Sequence, residues 1–517
     1  MDILKYFGTF IAAVVSIKLL RRAILDARVR FPPGPPGIPI IGHARIMPQA
    51  TDFPWKMFAK WGKKWGGIIY VHVFGRPMII INDLGIAREL MEKRGAVYSD
   101  RPPLLLISQM MGWDKVVAFK RYSDSDFRVQ RKMMQQHFSA QAVKSFQGIQ
   151  RRELNIFLEN LLTSPGTFIQ HIHRFTTATI MMVTYGYTID SDNDQYTTLI
   201  DKAVTMTVES GSAGGTLVDF IPILRYVPAW FPGAEFKRHA LKTRHLVNES
   251  ISKPFDFVKR SRASGTAFPS VISTLLDEAE ENSVANFNYE NNIQAVGGMV
   301  YAAGFETTTA AILTFILAMV RHPEAAEQAQ AEIDRVIGGE RLPTLKDRDQ
   351  LPFIDCILKE TLRWSPPLPL GLPHRLMEDD DFNDMHIPQG SMIIPNIWQF
   401  TRDEKYYPEP ECFNPNRFLQ KVTAGLGEES CNPLKIVFGF GRRICPGEFM
   451  VEAGMWMTIA CALAAFDFKP PVGEDGHAYM PAITFTSGAT SHPETFQCRI
   501  VPRSEKHAHL IRQEIHE

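Results

Sequence analysis

Close cysteine pairs are missing from this chain of 517 residues. Its six cysteines stand at 356, 412, 431, 445, 461 and 498. That spacing fits neither a zinc cluster nor a dense disulfide framework, and it suits a reducing compartment. Excess charge is missing too, because 56 basic residues balance 56 acidic ones. Nucleic-acid binding normally needs a basic excess, so nothing here points to it. Internal repeats and long low-complexity tracts are also lacking. What remains is ordinary globular composition, 45% hydrophobic and 22% charged, with length enough for a large core.

Residues 1–20 are mostly apolar, but Lys5 and Lys18 leave only 12 uninterrupted positions, 6–17. A spanning helix prefers about 20, although terminal lysines can snorkel and extend the usable length. A signal anchor, a cleaved signal peptide and a surface amphipathic helix all compete. Lys18, Arg21, Arg22, Arg28 and Arg30 follow the run. Positive flanks stay cytosolic, and no small-residue cleavage site is evident. Both points favour a membrane anchor over 1–22, with the rest of the chain cytosolic. A basic, proline-rich linker follows over 23–42, then one large domain over 43–517. Within the linker, residues 31–39 predict a stiff extended spacer, since proline fixes φ and removes donors.

Residues 67–73 and 78–81 are β-rich and flank Gly75-Arg76-Pro77, which predicts a hairpin. A helix is expected over 86–94. Residues 99–119 are irregular and apolar, a liability if exposed but a lid if they cover a cavity. Phe127 and Arg131 open a helix running to about 138. The stretch 140–285 reads as helices with polar breaks. Pro222, Pro228 and Pro232 rule out one continuous helix over 220–233. Trp230 and Phe231 there are core residues by default, or a lip facing a membrane.

Residues 289–320 lack proline and are apolar on most faces, so they predict a long helix through the core. Gly297, Gly298 and Gly304 are costly inside a helix and imply close approach of another body. Glu306 and Thr307 follow Ala303-Gly304-Phe305. An acid beside a hydroxyl is expensive to bury unless satisfied. Back-bonding of the threonine to the preceding turn is one account. Over 354–363, Glu360 and Arg363 lie one helical turn apart, normally a surface pairing of little weight.

The most informative stretch is Phe438-Gly-Phe-Gly441-Arg-Arg443-Ile-Cys445-Pro-Gly447. Gly439 and Gly441 would let a flat ligand lie against the backbone. Cys445 falls where the loop enters an apolar helix, and the helix dipole with free N–H groups favours a thiolate. A thiolate facing a flat ligand suits an axial haem position. A free cysteine is most often just a buried one. Here, however, Phe438, Gly441, Arg443, Cys445 and Gly447 all sit at the offsets F-x-x-G-x-R-x-C-x-G.

This loop closely resembles the haem-binding loop of the cytochrome P-450 superfamily. Ala303-Gly-Phe-Glu306-Thr307-Thr308 resembles its A-G-x-[DE]-T-T segment, and Glu360 with Arg363 its E-x-x-R motif. The N-terminal order is similar to microsomal members, and Pro228-Ala-Trp-Phe-Pro-Gly233 to basidiomycete ones. The resemblance implies a mainly α fold with small β-sheets and haem b held through Cys445. It implies propionate contacts from Arg131, Arg443 and His374, with Arg375 an alternative to His374. It also implies a proton relay through Glu306 and Thr307. Glu360, Arg363 and Arg417 would form a structural triad. Two departures stand out: Phe127 replaces the usual tryptophan, and Asn416 the usual glutamate before Arg417.

Lining is expected from 103–119, 205–230, 298–307, 368–372 and 483–488, mainly apolar segments that suit a hydrophobic small molecule. The implied reaction inserts one oxygen atom from O2 into that molecule. No dinucleotide-binding glycine signature accompanies a reductase-sized extension. NADPH electrons would therefore arrive through a separate cytochrome P-450 reductase, with cytochrome b5 a second candidate donor. The implied location is the endoplasmic reticulum membrane. Lys435, Arg442 and Arg443 are candidates for docking an acidic partner, or ordinary solvated charges. A haem-thiolate isomerase or dehydratase, and a non-catalytic haem sensor, are the alternatives. Terpenoid, aromatic polyketide, indole and fatty-acid substrates all remain open.

Overall fold

The helix Phe287–Arg321 is the axis of the molecule, 35 residues long. The Asn286 side chain accepts from the Tyr289 N–H and starts it, as an N-cap asparagine does. Its C-terminal half, from Ala311 to Val320, sits in one core cluster with the helices Pro352–Trp364 and Glu448–Ala465. Its N-terminal half, including Val300, Tyr301 and Phe305, sits in a second cluster with Phe168–Tyr185 and Gln195–Glu209. A helix apolar on all sides is expected to be buried in this way. Phe287–Arg321 and Glu448–Ala465 are long and apolar enough to cross a membrane, yet most of each is buried in the protein.

These coordinates come from a computed structural model that describes residues 30–189, 194–209, 216–284, 286–419 and 432–516. The anchor expected over 1–22 lies outside the described residues. The rest is mainly helical with small sheets. In the largest sheet, β1 (Ile68–Val73) and β2 (Arg76–Ile81) form the expected hairpin. Its turn is Phe74-Gly75, both at positive φ (48° and 77°), rather than Gly75-Arg76-Pro77. Two left-handed residues match the twist of the strands they join. Arg76 and Pro77 instead open β2, ahead of the stretch from Met78 that pairs with a third strand. β3 (His374–Arg375), β4 (Asp380–Phe382), β5 (Met385–Ile387) and β6 (Met392–Pro395) follow in the chain. The sheet order is β1-β2-β6-β3. A separate pair, β7 (Phe466–Lys469) and β8 (Arg499–Pro502), lies near the C-terminus.

The proline segment is extended, as its composition dictates, but it does not stand clear of the domain. Pro33 O accepts from the Tyr70 N–H at 3.1 Å, and the Phe31 ring stacks on Tyr70 at 4.7 Å. His43 Nε2 lies 2.8 Å from Pro35 O. The spacer is thus strapped along the outer edge of β1.

Candidate active site

The cysteine loop is built by close approach. Gly441 has φ +58°, and a Cβ there would sit 2.2 Å from Met91 O. Its bareness therefore serves the packing of the Glu89–Lys93 turn, and not the ligand face. Gly439, at φ +82°, has no atom within 4 Å of its missing Cβ and lines the cavity. The Cys445 N–H donates to Phe438 O at 2.8 Å, which folds the loop back on itself. Phe438, Cys445 and Gly447 all line the same cavity, with a volume of about 290 Å³.

Burial pushes the Cys445 thiol up, although the Gly447 N–H and the Arg131 charge pull the other way. The free N–H expected beside the sulfur is that of Gly447, but burial outweighs it. The helix begins only at Glu448, so Cys445 lies outside its first turn. A metal cation on the sulfur inverts that balance, because a coordinated thiol gives up its proton.

The opposite wall comes from the central helix. Ala303, Gly304, Thr307 and Thr308 line the cavity. Thr307 Oγ1 donates to Ala303 O at 2.8 Å, the back-bond the sequence suggested. A Cβ on Gly304 would meet Ile180 Cδ1 at 2.7 Å, so this glycine admits a neighbouring helix. Glu306 points elsewhere. It does not line the cavity, and its Oε1 accepts from Thr490 Oγ1 at 2.5 Å. Of the expected lining segments, Val117, Ala118, Leu368, Gly371 and Leu372 take part. Residues 205–230 and 483–488 contribute none among the described residues; Phe175, Thr176, Thr179 and Ile180 take that place. No periodic pattern in the sequence singles out this helix face.

Cations gather at one side of the cavity. Arg131 lines it, with its buried Nε left without a hydrogen-bond partner. Arg443 donates to three backbone carbonyls, those of Ser99, Val117 and Lys120. Its guanidinium lies 3.8 Å over the Phe127 ring, a contact open to phenylalanine without an indole N–H. Arg443 is therefore turned inward, while Lys435 and Arg442 are the exposed members of the suggested docking trio. Arg375 is paired with Asp100 at 2.5 Å and does not line the cavity. His374 does line it, fixed by β3 pairing to Ile393 and by Nδ1 donating to Tyr98 O at 2.8 Å.

One group was missed in the sequence. Arg101 is 5% exposed and lines the cavity, donating to the carbonyls of Ala118, Leu372 and Pro373. No carboxylate pairs with it among the described residues. Burial, then the Arg443 charge, pushes its pKa well below the usual arginine value. Burial likewise lowers Arg131, and brings Arg443 down to about 10. A lone arginine in the apolar stretch 99–119 was the available signal.

Below the loop, Glu360 and Arg363 are fully buried and joined at 2.7 Å, and Arg417 Nε reaches the same carboxylate at 3.1 Å. Asn416 bonds to Gln328 instead.

Cys445 and the cation cluster share an apolar cavity in a mainly helical fold, which defines a haem-thiolate protein class. The chain belongs to the cytochrome P-450 family, whose profile matches residues 32–497. It is 37% identical to cytochrome P-450 monooxygenase 176 of Postia placenta, over 99% of this chain and 97% of that one. Cytochrome P-450 monooxygenase claR of Ampulloclitocybe clavipes is also 37% identical, over 96% and 91%. A solved zebrafish cytochrome P-450 with progesterone aligns at TM-score 0.72, covering 87% of this chain and 99% of that chain. At 22% identity it speaks for the fold alone.

Proposed function

We propose that this cytochrome P-450 is a monooxygenase that inserts one oxygen atom from O2 into a hydrophobic small molecule. Cys445, facing the central helix across an apolar cavity, carries this reading. Buried Arg101 and half-buried Arg131, neither of them in a salt bridge with a carboxylate among the described residues, fit with Arg443 a ligand bearing anionic groups, as haem propionates are. Cys445 would hold the iron. His374 donates from Nδ1 to Tyr98 O, so its Nε2 is an acceptor while the ring is neutral. It can donate to a carboxylate only by taking up a proton, which the carboxylate's own charge would favour.

Haem bound through a thiolate supplies O2 activation and O–O cleavage. The chain's own task is to deliver protons and exclude stray water. The Thr307 hydroxyl lines the cavity; its single proton is given to Ala303 O, so its lone pairs would accept from water there, and it would donate into the cavity only on releasing that carbonyl. Glu306, whose Oε1 accepts from Thr490 Oγ1, would help to relay protons inward by way of water. NADPH electrons would come through a separate reductase, with cytochrome b5 a second candidate, docking near exposed Lys435 and Arg442. Thr307→Ala is expected to keep the haem spectrum but divert electrons to peroxide, with product per NADPH falling at least about tenfold. Unchanged coupling in that variant would contradict the relay.

Membrane attachment at the endoplasmic reticulum through residues 1–22 belongs to the same proposal, as do the domain limits. Trp230 is 79% exposed, Ile223 72% and Tyr226 68%, so they are not core residues. Phe220, just ahead of them, belongs to the core cluster of β1 and β2, against which Met47 and Phe74 also pack. Such an apolar lip suits the bilayer interface. Brominated lipids are expected to quench the fluorescence of the full-length protein in vesicles. Much of that quenching should vanish in Trp230→Phe; full retention would place the lip in water.

A further inference from the structure

The cavity-lining face of the central helix steps from Met299 and Val300 through Ala303 and Gly304 to Thr307. On the reading above, Thr307 marks the reacting end. From Met299 to Thr307 the helix rises about 12 Å, at roughly 1.5 Å per residue. Beyond Met299 the helix is covered by protein. Ala295 shares a core cluster with Leu106, Ile107, Trp113, Val247 and Ile251, and Met299 packs against that cluster. A Cβ on Gly298 would lie 2.6 Å from Ile251 Cγ1, and one on Gly297 would lie 2.8 Å from the Tyr185 hydroxyl. Side chains therefore fill the space into which a longer substrate would run.

This roof is tied down. The Leu106 N–H donates to the buried Asp219 carboxylate at 3.1 Å, and Trp113 Nε1 donates to Thr207 Oγ1 at 2.9 Å. Gln130 Nε2 donates to Lys115 O and to Asn292 Oδ1, both at 2.8 Å. Ties to three separate helices, Leu217–Phe220, Gln195–Glu209 and Ser125–His137, hold the stretch as a ceiling. Of the lid expected over 103–119, only Val117 and Ala118 line the cavity.

The walls are uniform in kind. Val117, Ala118, Leu368 and Leu372 are aliphatic, as are Met299 and Val300 on the helix in all but the thioether. No carboxylate lines the cavity among the described residues. Arg101 and Arg443 each give their donors to three backbone carbonyls, and Arg131 is left for a propionate. An anionic substrate would have to break those bonds or bury its charge unpaired, which is costly. The rings in the cavity stand elsewhere. Phe127 lies under Arg443, Phe138 meets Phe146 at 5.9 Å, Phe175 stacks on Phe157 at 5.1 Å, and Phe438 and Phe440 belong to the cysteine loop. No ring lies on the central-helix wall, so a flat aromatic substrate gains no stacking partner there. Branched aliphatic walls favour a substrate that fills them in three dimensions, because dispersion grows with the number of atomic contacts.

We propose that the substrate is a compact, uncharged ring hydrocarbon of sesquiterpene size, and that Met299 sets its upper length. This rests on the monooxygenase reading for the position of the reacting end. Occupancy of the chamber can nonetheless be read apart from oxygenation.

The test is a spectral titration of the haem-loaded, full-length protein with four probes: a bicyclic sesquiterpene hydrocarbon, a tricyclic diterpene hydrocarbon, palmitic acid and indole. Entry beside the haem is read as a shift of its Soret band. The sesquiterpene should bind at least about tenfold more tightly than each of the others. Met299→Ala should weaken the sesquiterpene several-fold and admit the diterpene. Met299→Phe should exclude both, and Met299→Leu should behave as the wild type, which separates chamber length from general damage. A Soret band unmoved by the sesquiterpene would overturn the proposal. So would tighter binding of indole or of palmitic acid, the latter assigning Arg101 or Arg131 as a substrate anchor. Equal binding of the diterpene by the wild type would overturn the length limit and Met299 with it. Product analysis keeps the two readings apart. A sesquiterpene that binds without being oxygenated would uphold the substrate class and count against the monooxygenase. Oxygenated palmitic acid beside a silent sesquiterpene would do the reverse.

Discussion

Arg363→Leu is expected to yield little or no folded, haem-loaded protein. Arg363 and Glu360 are both fully buried. Arg363 gives Nε and Nη2 to the Glu360 carboxylate, Nη1 to the carbonyls of Thr401 and Pro410, and Nη2 also to Cys412 O. Leucine removes all of these at once. Glu360 then keeps only the Asn414 N–H and Arg417, and the carbonyls lose a buried partner. Breaking such a pair from one side costs roughly 3–5 kcal/mol. A typical domain has only about 5–15 kcal/mol in total. Arg363→Lys should fail nearly as badly, because a point charge cannot match the planar fork. Soluble yield and haem content read the effect directly. Wild-type yield and an unshifted unfolding midpoint would show that the triad is dispensable.

Cys445→Ser is expected to remove the thiolate signature of the reduced, CO-bound protein and to cut product formation about a thousandfold or more, comparable to losing a principal catalytic group. No other described thiol is placed to substitute. Cys461 lies buried further along the same helix, bonded to Pro343 O and pushed up to about 11. Cys356 and Cys498 are each pushed up to about 12 by burial. Cys461→Ala therefore serves as the control and should keep both the spectrum and the activity. A Cys445→Ser protein with an unaltered spectrum would remove the basis for the whole assignment.

The parts legible in the sequence were those where chemistry fixes spacing. The loop from Phe438 to Gly447, the long helix carrying Glu306 and Thr307, and the pairing of Glu360 with Arg363 each span few residues and have strict offsets. Even there the reasons shifted. Gly441 answers to Met91 O, and Gly304 to Ile180, contacts set by distant segments. What stayed hidden depends on long-range packing. Arg101 meets carbonyls some 270 positions away in the chain, at Leu372 and Pro373, and no local pattern predicts that. The inward turn of Arg443 and the contribution of Phe175 to Ile180 have the same origin. Exposure of Trp230 was open for the same reason, since an aromatic pair between prolines fits a core and an interface equally well.

The central claim is that this chain transfers an atom of molecular oxygen to an apolar substrate through Cys445. Its most direct test is product analysis under 18O2 in yeast co-expressing a reductase and fed terpenoid, polyketide, indole and fatty-acid substrates. A product heavier by one labelled oxygen, absent in Cys445→Ser, is the predicted result. A product that carries no label from 18O2 would contradict it and point to rearrangement chemistry instead.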